Sequence, residues 1–313
     1  MRLLYFGTPG FAVPALRALA SSEHTLVGVV SQPDRPRGRG RLVEDTPVKL
    51  AATELGVDVF QPEKVGDESA LVWMRAREPE LGVVVAFGQF IPRNVRELPP
   101  LGLINAHASL LPRFRGAAPI EWAIDAGDAR SGISVMRVVK EMDAGDVCLV
   151  RETEIGPAET AGELTTRLAE LAAEALVAAV GEIAAGRAAF TPQLPTRVTL
   201  APKLDRGFAR LDFSWPAERV LRRIRAATPR PGVDLELTRA AKRMRVVRAR
   251  LGAKHGGGVR PGALRVESGR LLLAAADAWL ELVEIQLAGK RPMSADELLR
   301  GFRVPDAEEA RTP

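Results

Sequence analysis

Residues 2–31 read RLLYFGTPGFAVPALRALASSEHTLVGVVS. RLLYF and TLVGVVS are apolar, partly β-branched runs of strand length, and the segment between them opens on Gly7-Thr8-Pro9-Gly10 before continuing with helix-forming Ala and Leu. Strand, turn, helix and strand make a right-handed βαβ unit, which commits the chain to a mainly parallel sheet covered by helices. The expected class is therefore α/β, beginning with a doubly wound, Rossmann-like parallel-sheet domain. The Gly7–Gly10 turn lacks the GxGxxG spacing, and the second strand runs into Ser31-Gln32-Pro33 without a well-placed ribose-binding acid, so a nicotinamide dinucleotide is rejected.

Working outward, QPDRPRGRGRLVEDT (32–46) carries Arg35, Arg37, Arg39 and Arg41 among Gly and Pro, and reads as a charged loop projecting into solvent. Thr46 before Pro47 is a helix start, since the threonine oxygen can cap free N–H groups. VDVFQP is a further strand, the segment around ESALVWMRAR a helix, and LGVVVAF a buried parallel strand. The turn FGQFIP (87–92) follows it. GLINAH (102–107) is another strand, and strand alternation puts Asn105 and His107 on one face, at the carboxyl edge where open α/β sheets hold ligands. APIEWAIDAG is a helix with Pro119 early, SGISVMRVV a strand, and MDAGD (142–146) a tight turn that leaves Asp143 or Asp146 as the partner for His107. A long helix, 161–185, closes a first domain of residues 1–189.

Residues 190–212, rich in Pro and without periodicity, read as a linker to a second domain, 213–313. There PAERVLRRIRAA is a helix expected to bury Val220, Leu221 and Ile224 while Arg219, Arg222, Arg223 and Arg225 face out. Five short strand-like runs follow, DLELT, RMRVVRARL, GALRVES, RLLLAAA and WLELVEIQ, which suggest a small OB-like β-barrel. SADELLRGF is a capped terminal helix, and the last ten residues are expected to fray.

Charge separates the two parts. Residues 206–313 carry 22 Lys+Arg against 13 Asp+Glu, a net of +9, whereas residues 1–205 sum to −4. Such asymmetry points to a polyanionic partner for the carboxyl-terminal part. No apolar run approaches the length of a membrane helix, and Met1 leads straight into a strand with no secretory signal, so a cytoplasmic protein without membrane association is expected. One cysteine, Cys148, read as core, permits no internal disulfide, and three scattered histidines give no metal-site spacing. No metal is expected.

Taken together FGTPGFAVPAL, QPDRPRGRG, FGQFIP, NAHASLLPRFRGAAPI and GISVMRVVKEMDAGDV, in this order and spacing, resemble the methionyl-tRNA formyltransferases, within the folate-dependent formyltransferases. The resemblance runs from the first strand to SADELLRGF. It implies transfer of the formyl group of 10-formyltetrahydrofolate, as co-substrate, to the α-amino group of initiator methionyl-tRNA, by a protein expected to be a monomer. Amine attack on a formyl carbon builds an oxyanion that needs aimed donors, and Asn105 with His107 can supply them. The resemblance casts His107 as oxyanion donor and proton-transfer group, with Asp143 orienting it. It places folate on Phe87, Gly88, Ile91, Ser109, Leu110, Leu111 and Pro112, and tRNA on Arg39 and Arg41 of the loop; charge counting adds Arg222 and Arg223. NxH, SLLP and DxG are shared with amino-sugar N-formyltransferases, the alternative, which the Arg-rich loop disfavours. The chain departs from the family at Phe87, where tyrosine is common, and at TPRPGVDL, where an aromatic-rich segment is usual.

Overall fold

The structure, a computed structural model, describes residues 1–37 and 42–313. They divide into two compact units: Met1–Pro119, Arg130–Thr153 and Thr165–Ala201 form the first, and Ile120–Ala129, Glu154–Leu164 and Pro202–Pro313 the second.

In the first unit the apolar runs become strands β1 (Arg2–Gly7) and β2 (Thr25–Val30), joined through helix α1 (Val13–Ala20). A short antiparallel hairpin, β3 (Arg35–Arg37) with β4 (Leu42–Glu44), precedes α2 (Pro47–Glu54), which Thr46 caps by accepting the Lys49 backbone N–H at 3.2 Å. Then come β5 (Val59–Phe60), α3 (Glu68–Arg75), β6 (Leu81–Val85), α4 (Arg93–Arg96), β7 (Leu103–His107) and β8 (Arg115–Gly116), before α5 (Pro119–Ala126), whose residues from Ile120 on belong to the second unit. Strands β9 (Arg130–Arg137) and β10 (Val147–Glu154), helix α6 (Ala161–Ala184) and β11 (Leu200–Ala201) follow. The main sheet has the order β10-β9-β7-β6-β1-β2-β5. From β5 to β7 it is parallel, and β9 joins β7 antiparallel. Leu3, Leu4, Tyr5 and Phe6 are wholly buried, as a central strand covered on both faces requires.

The root of the Arg-rich arm is tied down. The Asp34 carboxylate accepts from the Thr46 backbone N–H at 3.1 Å, from Gln61 Nε2 at 2.8 Å and from Lys49 Nζ. Burial opposes its charge, but these donors, Lys49 foremost, outweigh it and hold the carboxyl below the usual range. Arg39 and Arg41 lie outside the described residues.

The second unit holds α7 (Ala217–Ala227) and strands β12 (Val233–Leu237), β13 (Lys242–Lys254), β14 (Ala263–Glu267), β15 (Arg270–Ala274), β16 (Ala278–Leu287) and β17 (Pro292–Ser294), then α8 (Ala295–Gly301) and β18 (Glu308–Arg311). Strands β12 to β16 are the five expected runs. The barrel has six staves, because β18 pairs with both β12 and β14 and β13 pairs with β16, closing the ring. Leu235, Val246, Leu273, Leu280 and Leu282 fill its interior with no exposed surface. The tail is thus a strand and does not fray: the wholly buried Glu308 carboxylate accepts the backbone N–H groups of Arg239, Ala240 and Glu309 at 2.7, 2.7 and 3.0 Å, and the Thr238 hydroxyl at 3.1 Å. Beyond it, Thr312 Oγ1 donates to the Leu211 carbonyl at 3.0 Å.

Among the described residues no helix is long and apolar enough to cross a membrane, and no group of three or more His, Cys, Asp or Glu side chains could hold a metal.

Candidate active site

His107 ends β7 with 6% of its surface exposed, and Asn105 lies two residues before it, partly buried. The imidazole is held by one nitrogen and faces an acid with the other. Nε2 lies 2.8 Å from the Phe114 carbonyl, which can only accept, so this nitrogen carries a proton and donates. Nδ1 faces the Asp143 carboxylate at 3.6 Å, a gap longer than a hydrogen bond. Of the two acids open at the sequence level, Asp143 is thus the one that faces the imidazole. With Nε2 spent on Phe114, the nitrogen of His107 left for proton transfer is Nδ1, while the Asn105 amide has no hydrogen-bond partner among the described residues.

The acid arrives by an unusual path. The loop leaves β9 beside the amino end of β7, where the Val138 N–H donates to the Leu103 carbonyl at 2.8 Å, and folds back along β7 to His107. Asp143 adopts φ +51, a left-handed conformation that Asp tolerates better than most residues. Gly145 serves by absence of a side chain: a Cβ there would stand 1.9 Å from the Arg137 carbonyl oxygen. Asp143 Oδ2 then accepts the Gly116 N–H at 2.8 Å. Gly116 needs its own freedom, with φ +123 and a Cβ position 2.6 Å from the Ala201 carbonyl oxygen. Phe114 (φ +57) and Ala86 (φ +46) also hold left-handed backbones, and such strain gathers at sites where surrounding structure imposes it.

SLLPRFRG is held by its own polar groups and by a segment read as linker. Ser109 Oγ donates to the Arg113 carbonyl at 2.6 Å, and Ser134 Oγ bridges the Ser109 carbonyl and the Leu111 N–H at 2.7 and 3.0 Å. Thr199 accepts from the Phe114 N–H at its hydroxyl and from the Arg115 N–H at its carbonyl, both at 2.9 Å, and β11 pairs with β8 in parallel. Residues 199–201 are therefore part of the site's wall. Ser109, expected on folate, spends its hydroxyl and carbonyl internally; Leu110, Leu111 and Pro112 stay partly exposed.

The turn after β6 is likewise half committed. Phe87 and Ile91 bury their side chains in the core, Phe87 edge-on to Phe6 at 5.6 Å. The Phe87 carbonyl accepts from Thr8 Oγ1 at 2.8 Å and Gln32 Nε2 at 3.1 Å, and the Ile91 carbonyl from Arg96 Nη1 at 2.7 Å. What the turn presents outward is Phe90, 70% exposed, flanked by the backbone of Gly88 and Gln89. Its exposure could not be read from an apolar residue in an apolar turn.

Two expected tRNA-binding arginines are engaged elsewhere. Arg223 forks onto Asp125, Nε to Oδ1 at 2.6 Å and Nη2 to Oδ2 at 2.8 Å, donates to the Phe208 carbonyl at 2.9 Å, and lies over the Phe208 and Trp215 rings. Arg222 Nε donates to the Asp125 carbonyl at 3.2 Å, and Arg225 to the Glu159 and Gly156 carbonyls, both at 2.8 Å. These side chains bind segments 120–129 and 154–164 to the helix; of the four α7 arginines only Arg219 is exposed. Because Asp125 is only 13% exposed, Arg223→Ala should lower the stability of this unit by about 2–3 kcal/mol by stranding the carboxylate. Denaturant unfolding checks this. Cys148 is partly buried, with Sγ 3.4 Å from the Val135 carbonyl and a thiol pushed up by burial, and takes no part.

Residues 1–180 match the formyl transferase family and residues 203–303 the formyl transferase C-terminal domain. Curated relatives named methionyl-tRNA formyltransferase include that of Koribacter versatilis, 42% identical over 311 residues and covering 99% of this chain and 98% of the relative. That of Halorhodospira halophila is 42% identical over 308 residues, 98% of both chains. Among solved structures, the sugar 3N-formyl transferase WlaRD has TM-score 0.68 at 14% identity, over 93% of this chain and 99% of that one. HypX from Aquifex aeolicus in complex with tetrahydrofolic acid has TM-score 0.61 at 18% identity, over 96% of this chain and 47% of that one. At such identities these two speak for the fold alone.

Proposed function

The chain belongs to the methionyl-tRNA formyltransferase family, and from that membership we propose that it transfers the formyl group of 10-formyltetrahydrofolate to the α-amino group of initiator methionyl-tRNA. The observation that carries the chemistry is the His107 imidazole facing the Asp143 carboxylate at the end of β7, with Asn105 two residues earlier on the same strand. The amine attacks the formyl carbon, and its carbonyl electrons move onto oxygen. Asn105 Nδ2 donates to that oxygen, whose charge grows as the barrier is climbed. Its amide costs no internal bond to recruit. The His107–Asp143 pair takes the amine proton and returns it to N10 of the folate as the carbon–nitrogen bond breaks. With Nε2 anchored on the Phe114 carbonyl, the imidazole keeps Nδ1 turned toward Asp143 without rotating.

Folate is proposed beside β7, with the pterin on the backbone of residues 88–90 and on the SLLP run. A heterocycle with many donors and acceptors suits exposed peptide groups of an irregular turn, and Phe90 adds a flat apolar face. The acceptor RNA is proposed to meet the arm at Arg39 and Arg41 and the barrel at exposed cations. Arg230, Lys254 and Arg270 are exposed and form no ion pair among the described residues, so their charge is available to phosphate.

Full-length relatives at about 40% identity favour RNA as acceptor over a sugar. Labelled formyl transfer, run in parallel with charged initiator tRNA, charged elongator tRNA and an amino sugar nucleotide, tests this directly. Initiator methionyl-tRNA should be formylated fastest; faster labelling of the sugar nucleotide would sink the assignment.

A further inference from the structure

Gln193 lies in the Pro-rich stretch between α6 and β11, where sequence periodicity assigns nothing, yet it is partly buried and its amide makes four hydrogen bonds to nitrogen and oxygen partners at the site, besides a longer one from Nε2 to Met136 Sδ at 3.9 Å. Its Nε2 donates to the Asp143 carbonyl and to the Gly145 carbonyl, both at 2.8 Å. Its Oε1 accepts from Arg115 Nε at 3.0 Å and Arg115 Nη2 at 2.6 Å. The amide has only one orientation that works here. Turned over, its oxygen would face two carbonyl oxygens and its NH2 a guanidinium that can only donate.

These bonds complete a ring. Arg115 neighbours Gly116, whose N–H donates to Asp143 Oδ2, and Asp143 faces His107. The backbone of Asp143 is held in a left-handed conformation, so the turn is strained there and needs outside support. Within 141–146 the one backbone bond between turn residues is from the Ala144 N–H to the Glu141 carbonyl, at 3.4 Å. Gln193 supplies what the turn lacks: two donors for the carbonyls on either side of Ala144, both from one side chain.

We infer that Gln193 is a positioning residue for the transfer reaction, locking the Asp143 turn to the Arg115–Gly116 strand so that the carboxylate is held against His107. The inference rests on the reading of Asp143 as the acid of the site. Gln193 itself touches no reacting atom. Its loss lets the turn relax, and a displacement of about an ångström at a proton-transfer pair costs on the order of 100-fold in rate.

The experiment compares Gln193→Ala, Gln193→Glu, Asp143→Asn and the double variant Gln193→Ala/Asp143→Asn in the full chain, by steady-state kinetics with charged initiator tRNA and 10-formyltetrahydrofolate. Gln193→Glu keeps acceptors for Arg115 and loses both donors to the turn, so it separates this role from bulk support and serves if the alanine variant folds poorly. Both single Gln193 variants should lower kcat by about 10- to 100-fold with KM for either substrate within about twofold. In the Asp143→Asn background Gln193→Ala should add almost nothing, the coupling expected of residues acting through one group. A normal kcat in Gln193→Glu, or equal losses from Gln193→Ala in both backgrounds, overturns the inference while leaving the site intact. Full activity in Asp143→Asn alone overturns the reading of the acid, and the inference with it.

Discussion

Asn105→Ala should lower kcat by about 100- to 1000-fold, roughly 3–4 kcal/mol of barrier, the size seen when one aimed oxyanion donor is removed. The effect should fall on kcat and leave KM for folate and tRNA close to normal, because the amide meets an oxygen whose charge exists only near the transition state. Folding should survive. The Asn105 side chain has no hydrogen-bond partner among the described residues, so its removal orphans no buried group. This separates it from His107, whose loss would also free the Phe114 carbonyl and the loop that carries it. Asn105→Asp is the sharper control: it keeps the shape, removes the donor and adds a negative charge where one develops, and it should be at least as slow as the alanine variant. Near-normal single-turnover rates in both variants would mean that the oxyanion is held elsewhere.

What the sequence made legible follows from how local each signal is. The apolar runs of β1, β6 and β7 announce themselves, since a strand covered on both faces must be apolar at every position. Asn105 and His107 were legible for the same reason, being two residues apart on such a strand. Helix α7 shows where periodicity stops. It identifies Val220 and Ile224 as buried, but not what lies against the opposite face, and Asp125 comes to Arg223 from 98 positions away. An arginine that faces away from one core is read as solvated unless its acid is known. Gln193 was hidden in the same way: its partners lie 48 to 78 positions away, and a Pro-rich stretch reads as linker whether or not it lines a wall. The hairpin arm was legible as charge and not as a structure anchored by Asp34.

Strand β18 was the largest omission, and it carries the second large expectation. Glu308-Glu309-Ala310-Arg311 has three charged residues in four, so neither alternation nor hydropathy marks it as a stave of a barrel. Its place is set by non-local donors: the turn at 238–240 points its N–H groups and the Thr238 hydroxyl at a carboxylate wholly out of solvent. Burial acts against the charge of Glu308, the hydrogen bonds to Arg239, Ala240, Glu309 and Thr238 more than offset it, and the carboxyl lies below its ordinary 4.5. Glu308→Ala removes every acceptor and leaves these donors facing an empty buried space, which should destabilise the barrel by roughly 3–5 kcal/mol. Glu308→Gln should cost somewhat less, since its oxygen still accepts while its NH2 opposes the remaining donors. The pH dependence has a definite sign: a group whose folded pKa is depressed stabilises fully above its unfolded value and loses that contribution as pH falls through the folded one. The stability gap between wild type and Glu308→Gln should therefore be widest above pH 4.5 and narrow on further acidification. Urea unfolding of the barrel, followed by the fluorescence of the buried Trp279, measures it, with the first unit as an internal reference. A gap of constant size down through the acid range would mean that the carboxylate's charge is not what closes the ring.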